Sequence, residues 1–208
     1  DLVDIVIPIA AGLEVTELQT LHNFEQITAI VTDPTFRAGA YPPDDPPVAG
    51  LRLARMIGHK TFVSLDALAE RARSEVEPDD GPDAYDLSNN LESYMWHQGT
   101  KFVQRFDANS YLRIMEAWQT VDLCGEAGVA EVEDLLSACT DQRFMVFSID
   151  SDVCFYPDEQ RRLVGALKRS SVPVRHITVH SDKGHDSFLL EPELFAPHLR
   201  ATLLSPWT

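Results

Sequence analysis

The chain has 208 residues, 44% of them hydrophobic, and a formal net charge of −16 with a pI near 4.6. That length and composition suit one globular domain with a sizeable core, or one domain plus an insertion. The charge argues against nucleic acid as a partner, whose phosphates it would repel, and no apolar run is long enough to span a bilayer.

Residues 2–9 (LVDIVIPI) are a nearly continuous apolar run rich in β-branched side chains, which predicts a buried strand of a parallel sheet. Thr16, with Gln19 three residues on, makes a capping-box start. Leu18, Leu21, Phe24, Ile27 and Val31 then recur at helical spacing, and Pro34 stops the helix. Segment 33–47 is rich in proline and reads as a rigid loop. Further helices are expected over 48–58 and, behind a Ser64 cap, over 65–74. The acidic stretch 75–90 reads as a mobile loop. Two longer helices are expected over 91–106 and 108–120, and a short one over 129–138.

The texture then changes. A strand over 143–149 (RFMVFSI), a helix over 157–169, a strand over 172–179 and a helix over 191–204, interrupted near Pro197, make a β-α-β-α tail. That order signals a parallel sheet with right-handed crossovers, an α/β fold. Cys124, Cys139 and Cys154 are odd in number and form no CxxC pair, so they read as reduced thiols of a cytoplasmic protein. A nucleophilic Cys154, close to Asp152, is a minority reading.

The chemistry gathers at two strand ends. The turn Gly184-His185-Asp186 follows the last strand and precedes a helix, which presents an imidazole at the carboxyl end of the sheet. Asp150-Ser151-Asp152 follows the preceding strand, and neighbouring parallel strands lie about 4.8 Å apart. Asp152 is therefore assigned as the carboxylate that orients His185 and stabilises its imidazolium form. A blander role for Asp150 or Asp152 is to cap the helix at Pro157. His180, Asp182, His185 and Asp186 also suit a metal, but their spacing matches no strong metal motif, so no metal is assigned. Asp followed by His at successive strand ends is the second half of the Ser, Asp, His order of α/β-hydrolases. No Gly-x-Ser-x-Gly elbow occurs in the chain, so the nucleophile is expected on a segment upstream of Asp1, or not at all.

The chain resembles the homoserine O-acetyltransferase family in ordered stretches that run nearly end to end. They are 29–41 (AIVTDPTFRAGAY), 50–64 (GLRLARMIGHKTFVS), 94–111 (YMWHQGTKFVQRFDANSY), Asp122, 150–157 and 184–189. The resemblance implies the C-terminal portion of an α/β-hydrolase fold, lacking its N-terminal half, with a large helical lid inserted over 12–125. It implies a serine acyl-enzyme that takes acetyl from the co-substrate acetyl-CoA and passes it to homoserine, with no bound cofactor. By position, His185 is the general base and Asp152 its orienting acid. Arg55 would bind the substrate carboxylate, and Asp186 would lie near its amino group. A homodimer through the lid helices is implied as well. The resemblance departs at Phe62, where the family usually has tyrosine, so a phenolic hydroxyl near the substrate is absent. Two other readings remain: an esterase-like hydrolase or acyltransferase for another hydroxyl, and a noncatalytic lid or dimerisation fragment.

Overall fold

In chain order the elements are β1 (Ile5–Val6), α1 (Glu17–Val31), a 3-10 turn at Arg37–Gly39, α2 (Val48–Phe62) and α3 (Leu65–Ser74). Next come α4 (Asn90–Val103), α5 (Ala108–Gln119), α6 (Leu123–Ala127), α7 (Val132–Ser137), β2 (Arg143–Ile149) and α8 (Pro157–Arg169). The chain closes with β3 (Val174–Val179), α9 (Ser187–Leu190), a 3-10 turn at Pro192–Leu194 and α10 (Ala196–Leu204). This computed structural model describes residues 2–74, 81–82 and 85–204. Of the loop expected over 75–90, residues 75–80 and 83–84 lie outside the described residues. These residues fall into two compact units, one drawn from Asp1–Glu14, Phe62–Ser64 and Asp122–Thr208, the other from Val15–Thr61 and Leu65–Val121.

The first unit holds a parallel sheet of order β1-β2-β3. β2 is central and almost wholly buried, as its unbroken apolar run requires. Its side chains alternate between two faces. Phe144 and Val146 pack with Leu163, Val164 and Leu167 of α8 and Leu136 of α7, while Met145, Phe147 and Ile149 pack with Phe195. β1 is shorter and less buried than its apolar run suggested. Only Ile5 and Val6 pair as a strand, Ile9 makes a single bridge to Phe147, and Leu2 is fully exposed. Proline at position 8 has no N–H to give the ladder, and among the described residues β1 has a neighbour on one side only.

Two ends differ from expectation for local reasons. The helix expected over 129–138 is α7, which starts only at Val132, and a short helix not expected from the pattern, α6, precedes it and is closed by Gly128 at a left-handed φ of 68°. The break expected near Pro197 comes earlier, at Glu191–Phe195. Pro197 itself sits in the first turn of α10, where its missing N–H costs nothing.

The second unit is helical. Its core joins Ile30 of α1, Leu51 and Ala54 of α2, Phe102 of α4, and Tyr111 and Met115 of α5. Asp33 ties α1 to α2: its Oδ2 accepts the Gly50 N–H at 2.7 Å, and its Oδ1 accepts from Thr35. A side chain at Gly50 would collide with the Ala29 carbonyl at 2.4 Å, so glycine permits the close helix crossing. The capping box of Thr16 and Gln19 forms as its spacing predicts.

The orientation of α1 is the surprise. Its apolar stripe faces outward, with Leu21 59% and Phe24 62% exposed, while Gln19, Asn23 and Gln26 are buried. Asn23 donates to Gln119 of α5 at 3.2 Å, and the Tyr111 hydroxyl donates to Gln26. Asn23 and Gln26 are thus spent on a hydrogen-bonded seam with α5, and helical periodicity alone carries no sign of which face meets the core.

Candidate active site

β2 and β3 end in register, Ile149 beside Val179, so the loops that follow start level with each other. From the first loop comes Asp152, 2% exposed. Its Oδ1 accepts the backbone N–H groups of Cys154 and Phe155 at 2.8 and 2.9 Å. Its Oδ2 lies 2.8 Å from His185 Nδ1. The carboxylate is therefore locked on one side and committed to the imidazole on the other. Because a carboxylate accepts, Nδ1 carries the hydrogen and Nε2 keeps its lone pair. Asp152 does not cap α8, whose first residue follows Tyr156 with no side-chain cap.

The imidazole is walled by two aromatic rings. Phe155 stacks on it at 5.4 Å, and Phe188 meets it edge-on at 5.7 Å. The turn beneath is held by a short strap, residues 62–64. Asp186 N–H donates to the Phe62 carbonyl at 2.9 Å, Ser64 N–H to Lys183 at 3.4 Å, and the Ser64 hydroxyl to the Asp182 carbonyl. Gly184 has φ 78°, and a Cβ there would lie 2.6 Å from Ser64 N. Only glycine satisfies both the dihedral and the close approach. Ser151 accepts the Gly184 N–H at 2.9 Å and so joins the two loops again.

A second Asp–His pair lies beside the first. His180 Nδ1 is 2.8 Å from Asp150 Oδ2, and Asp150 Oδ1 accepts the Ser181 N–H at 3.1 Å. Burial pushes the Asp150 carboxyl up, but the hydrogen bonds from His180 and Ser181 outweigh it and hold it below its ordinary value. His180 is 82% exposed at its side chain, unlike the enclosed His185. The two histidines go to different carboxylates, and among the described residues no group of three or more His, Cys, Asp or Glu side chains converges as a metal site would need. Asp186 stands at the N-cap of α9. Asp122 caps α6, accepting the Gly125 N–H at 2.8 Å. Arg55 belongs to the helical unit. It lies on α2 with Nη2 3.4 Å from His59 Nδ1 and its guanidinium 4.9 Å over the Phe102 ring.

No protein-family model matches the chain. Curated proteins do. A homoserine O-acetyltransferase of Desulfotalea psychrophila is 36% identical over 204 residues, covering 98% of this chain and 52% of that protein. One of Zymomonas mobilis subsp. mobilis is 41% identical over 180 residues, covering 84% and 46%. The chain is homologous to the homoserine O-acetyltransferases. It spans about half the length of these curated relatives. A homoserine O-succinyltransferase of Halothiobacillus neapolitanus is 36% identical over 193 residues, covering 91% and 47%. Among solved structures, a homoserine O-acetyltransferase from Bacillus anthracis superposes with a TM-score of 0.85 at 17% identity, covering 99% of this chain and 54% of that one. Esterase E22 superposes at 0.82 with 15% identity, covering 95% and 53%. The fold is the C-terminal portion of an α/β-hydrolase, mostly helical with a small parallel sheet.

Sequence reasoning found Asp152 and His185 because strand ends are visible in a sequence. It missed Phe155, Phe188 and the 62–64 strap. The strap lies more than a hundred residues before the turn it holds, and no local pattern signals such a contact.

Proposed function

We propose that this chain is part of an O-acyltransferase that moves an acetyl group from acetyl-CoA to the hydroxyl of homoserine, with its nucleophilic serine on an upstream segment. The Asp152–His185 hydrogen bond carries the reading, since it leaves Nε2 as an acceptor at the carboxyl end of the sheet. The serine Oγ attacks the thioester carbonyl while its proton passes to Nε2. The C–S bond breaks, and the proton leaves on the CoA thiol. The homoserine hydroxyl then attacks the acyl-serine carbonyl, giving its proton to Nε2, which returns it to the departing serine oxygen. Asp152 holds the imidazole and stabilises its charged form in both halves. Arg55 binds the substrate carboxylate and Asp186 its ammonium group. With Phe62 in place of the usual tyrosine, no phenol contributes at that position.

The same geometry serves hydrolysis if water replaces homoserine, and esterases lie among the structural neighbours. Transfer is preferred because the similar curated proteins are named as acyltransferases. The outward apolar face of α1 supports a homodimer formed through the lid helices. Among the described residues no helix is long and apolar enough to cross a membrane, and a cytoplasmic location fits three free cysteines. The test uses the complete protein with acetyl-CoA and follows thiol release with and without homoserine. Release that depends on homoserine and yields O-acetylhomoserine supports transfer. Equal release in its absence means hydrolysis. No release with acetyl-CoA or any other acyl-CoA removes the acyltransferase reading.

A further inference from the structure

The turn that carries His185 is tied by side chains to which the proposed reaction gives no role. Ser181 is their centre. Its N–H goes to Asp150 Oδ1, and its hydroxyl donates to Glu191 Oε2. The same oxygen accepts the Lys183 N–H at 3.0 Å and the Ser187 hydroxyl at 2.9 Å. Ser187 is fully buried, and it shares its one hydroxyl hydrogen between Ser181 and the Gly184 carbonyl. Gly184 immediately precedes His185, and Ser151 holds its N–H. Both polar groups of that glycine are therefore fixed. Its carbonyl already accepts the Ser187 N–H at 3.1 Å, so the hydroxyl adds direction and does not rescue an orphaned acceptor.

Glu191 sets the sense of this chain. A carboxylate only accepts, so Ser181 gives its single hydrogen to Glu191 and keeps its lone pairs for Lys183 and Ser187. The contact also closes residues 181–191 on themselves, with His185 near the middle. Without that acceptor the Ser181 hydrogen has no fixed partner, and the hydroxyl can rotate among its neighbours. The opposite half of the dyad is rigid, because two backbone N–H groups lock Asp152. A misplacement of about 1 Å on the histidine side can cost about 10²-fold in rate.

We infer that Glu191 is a positioning residue that acts through Ser181 and Ser187 to hold the Gly184–His185 turn, keeping His185 Nδ1 on Asp152 Oδ2. The inference rests on His185 being the general base, and it holds for transfer and hydrolysis alike.

The test measures kcat and both KM values in the complete enzyme for Glu191→Leu, Glu191→Gln and Ser181→Ala, each alone and combined with Asp152→Asn. Glutamine keeps an oxygen that can accept from Ser181, and leucine does not. The expected result is a kcat about 10- to 100-fold lower in Glu191→Leu and Ser181→Ala, unchanged KM for homoserine and acetyl-CoA, and recovery in Glu191→Gln. On top of Asp152→Asn the same changes should cost nothing further, because the bond they protect is already lost. The low-field proton resonance of His185 Nδ1–H needs no substrate. It should broaden in Glu191→Leu and Ser181→Ala and stay sharp in Glu191→Gln. Losses that persist in full on Asp152→Asn, raised KM values, or equal behaviour of leucine and glutamine mean support of the fold alone and overturn the inference. If Glu191→Leu does not fold, Ser181→Ala, which removes one oxygen, carries the test. His185→Ala is the reference. If it abolishes turnover while Ser181→Ala and Glu191→Leu match the parent, the inference fails and the role of His185 stands. If His185→Ala keeps parental turnover, that role fails and takes the inference with it.

Discussion

Asp152 uses its two oxygens differently, and that asymmetry sets the outcome of the mildest substitution. In Asp152→Asn the position that accepts from Cys154 and Phe155 must remain an oxygen. The amide nitrogen is therefore forced toward His185 and donates to Nδ1. The imidazole must then carry its hydrogen on Nε2, where it cannot take a proton from a nucleophile. Turnover should fall by about 10⁴-fold with little loss of stability, as for the same change in serine proteases. Activity within tenfold of the parent would show that this pair is not the reacting one. His59, buried on α2 with Nε2 3.2 Å from the Tyr94 hydroxyl, gives a second residue-scale expectation. Burial, reinforced by the charges of Arg55 and Arg71, pushes its folded value down to about 4, below the ordinary 6.5, so the unfolded chain binds the extra proton between those values. The stability that depends on the neutral ring is thus present above pH 6.5 and is lost as pH falls toward 4. Relative to His59→Asn, the wild type should lose on the order of 2 kcal/mol between pH 7 and pH 4.5. Urea midpoints measured at both values check it, and parallel curves for the two proteins would refute it.

Among the elements, the 62–64 strap and the Gly184 turn form one device. Gly184→Ala places a methyl against the strap backbone at a left-handed φ. The strain should cost about 1–3 kcal/mol and displace His185, lowering turnover far more than Arg55-dependent binding. An unchanged melting temperature and rate would mean that the turn relaxes freely. The elements also show what a sequence makes legible. β2 and α8 fall where the pattern places them, because an unbroken apolar run and a proline at the first helical position are local signals. The dyad was legible for the same reason, since its members close two such strands. The facing of α1 was not. Asn23 and Gln26 look like a solvent face until Gln119 and Tyr111, almost a hundred residues later, supply their partners. His59 was hidden similarly: a histidine within a helix has no spacing that distinguishes it from core filling until Arg55 and Tyr94 are placed around it.

At the scale of the molecule, the outward stripe of α1 bears on assembly. Phe24→Glu places a charge in the proposed dimer contact without touching the seam to α5. Helicity should persist while the apparent mass by light scattering falls by half. A variant that stays dimeric would move the interface elsewhere. The pairing of β1 with β2 has a consequence for how the chain is made. Ile5 waits for Arg143, so the whole helical unit is looped between two partners that meet last. Closing so long a loop is slow, whereas helices with near neighbours in sequence collapse early. During synthesis the helical unit should mature first, and the pairing of β1 with β2 must wait until β2 leaves the ribosome. Trp96 and Trp118 both lie in that unit. Their fluorescence should therefore recover on refolding before amide protection appears along β2, and simultaneous recovery would mean that the two units assemble as one.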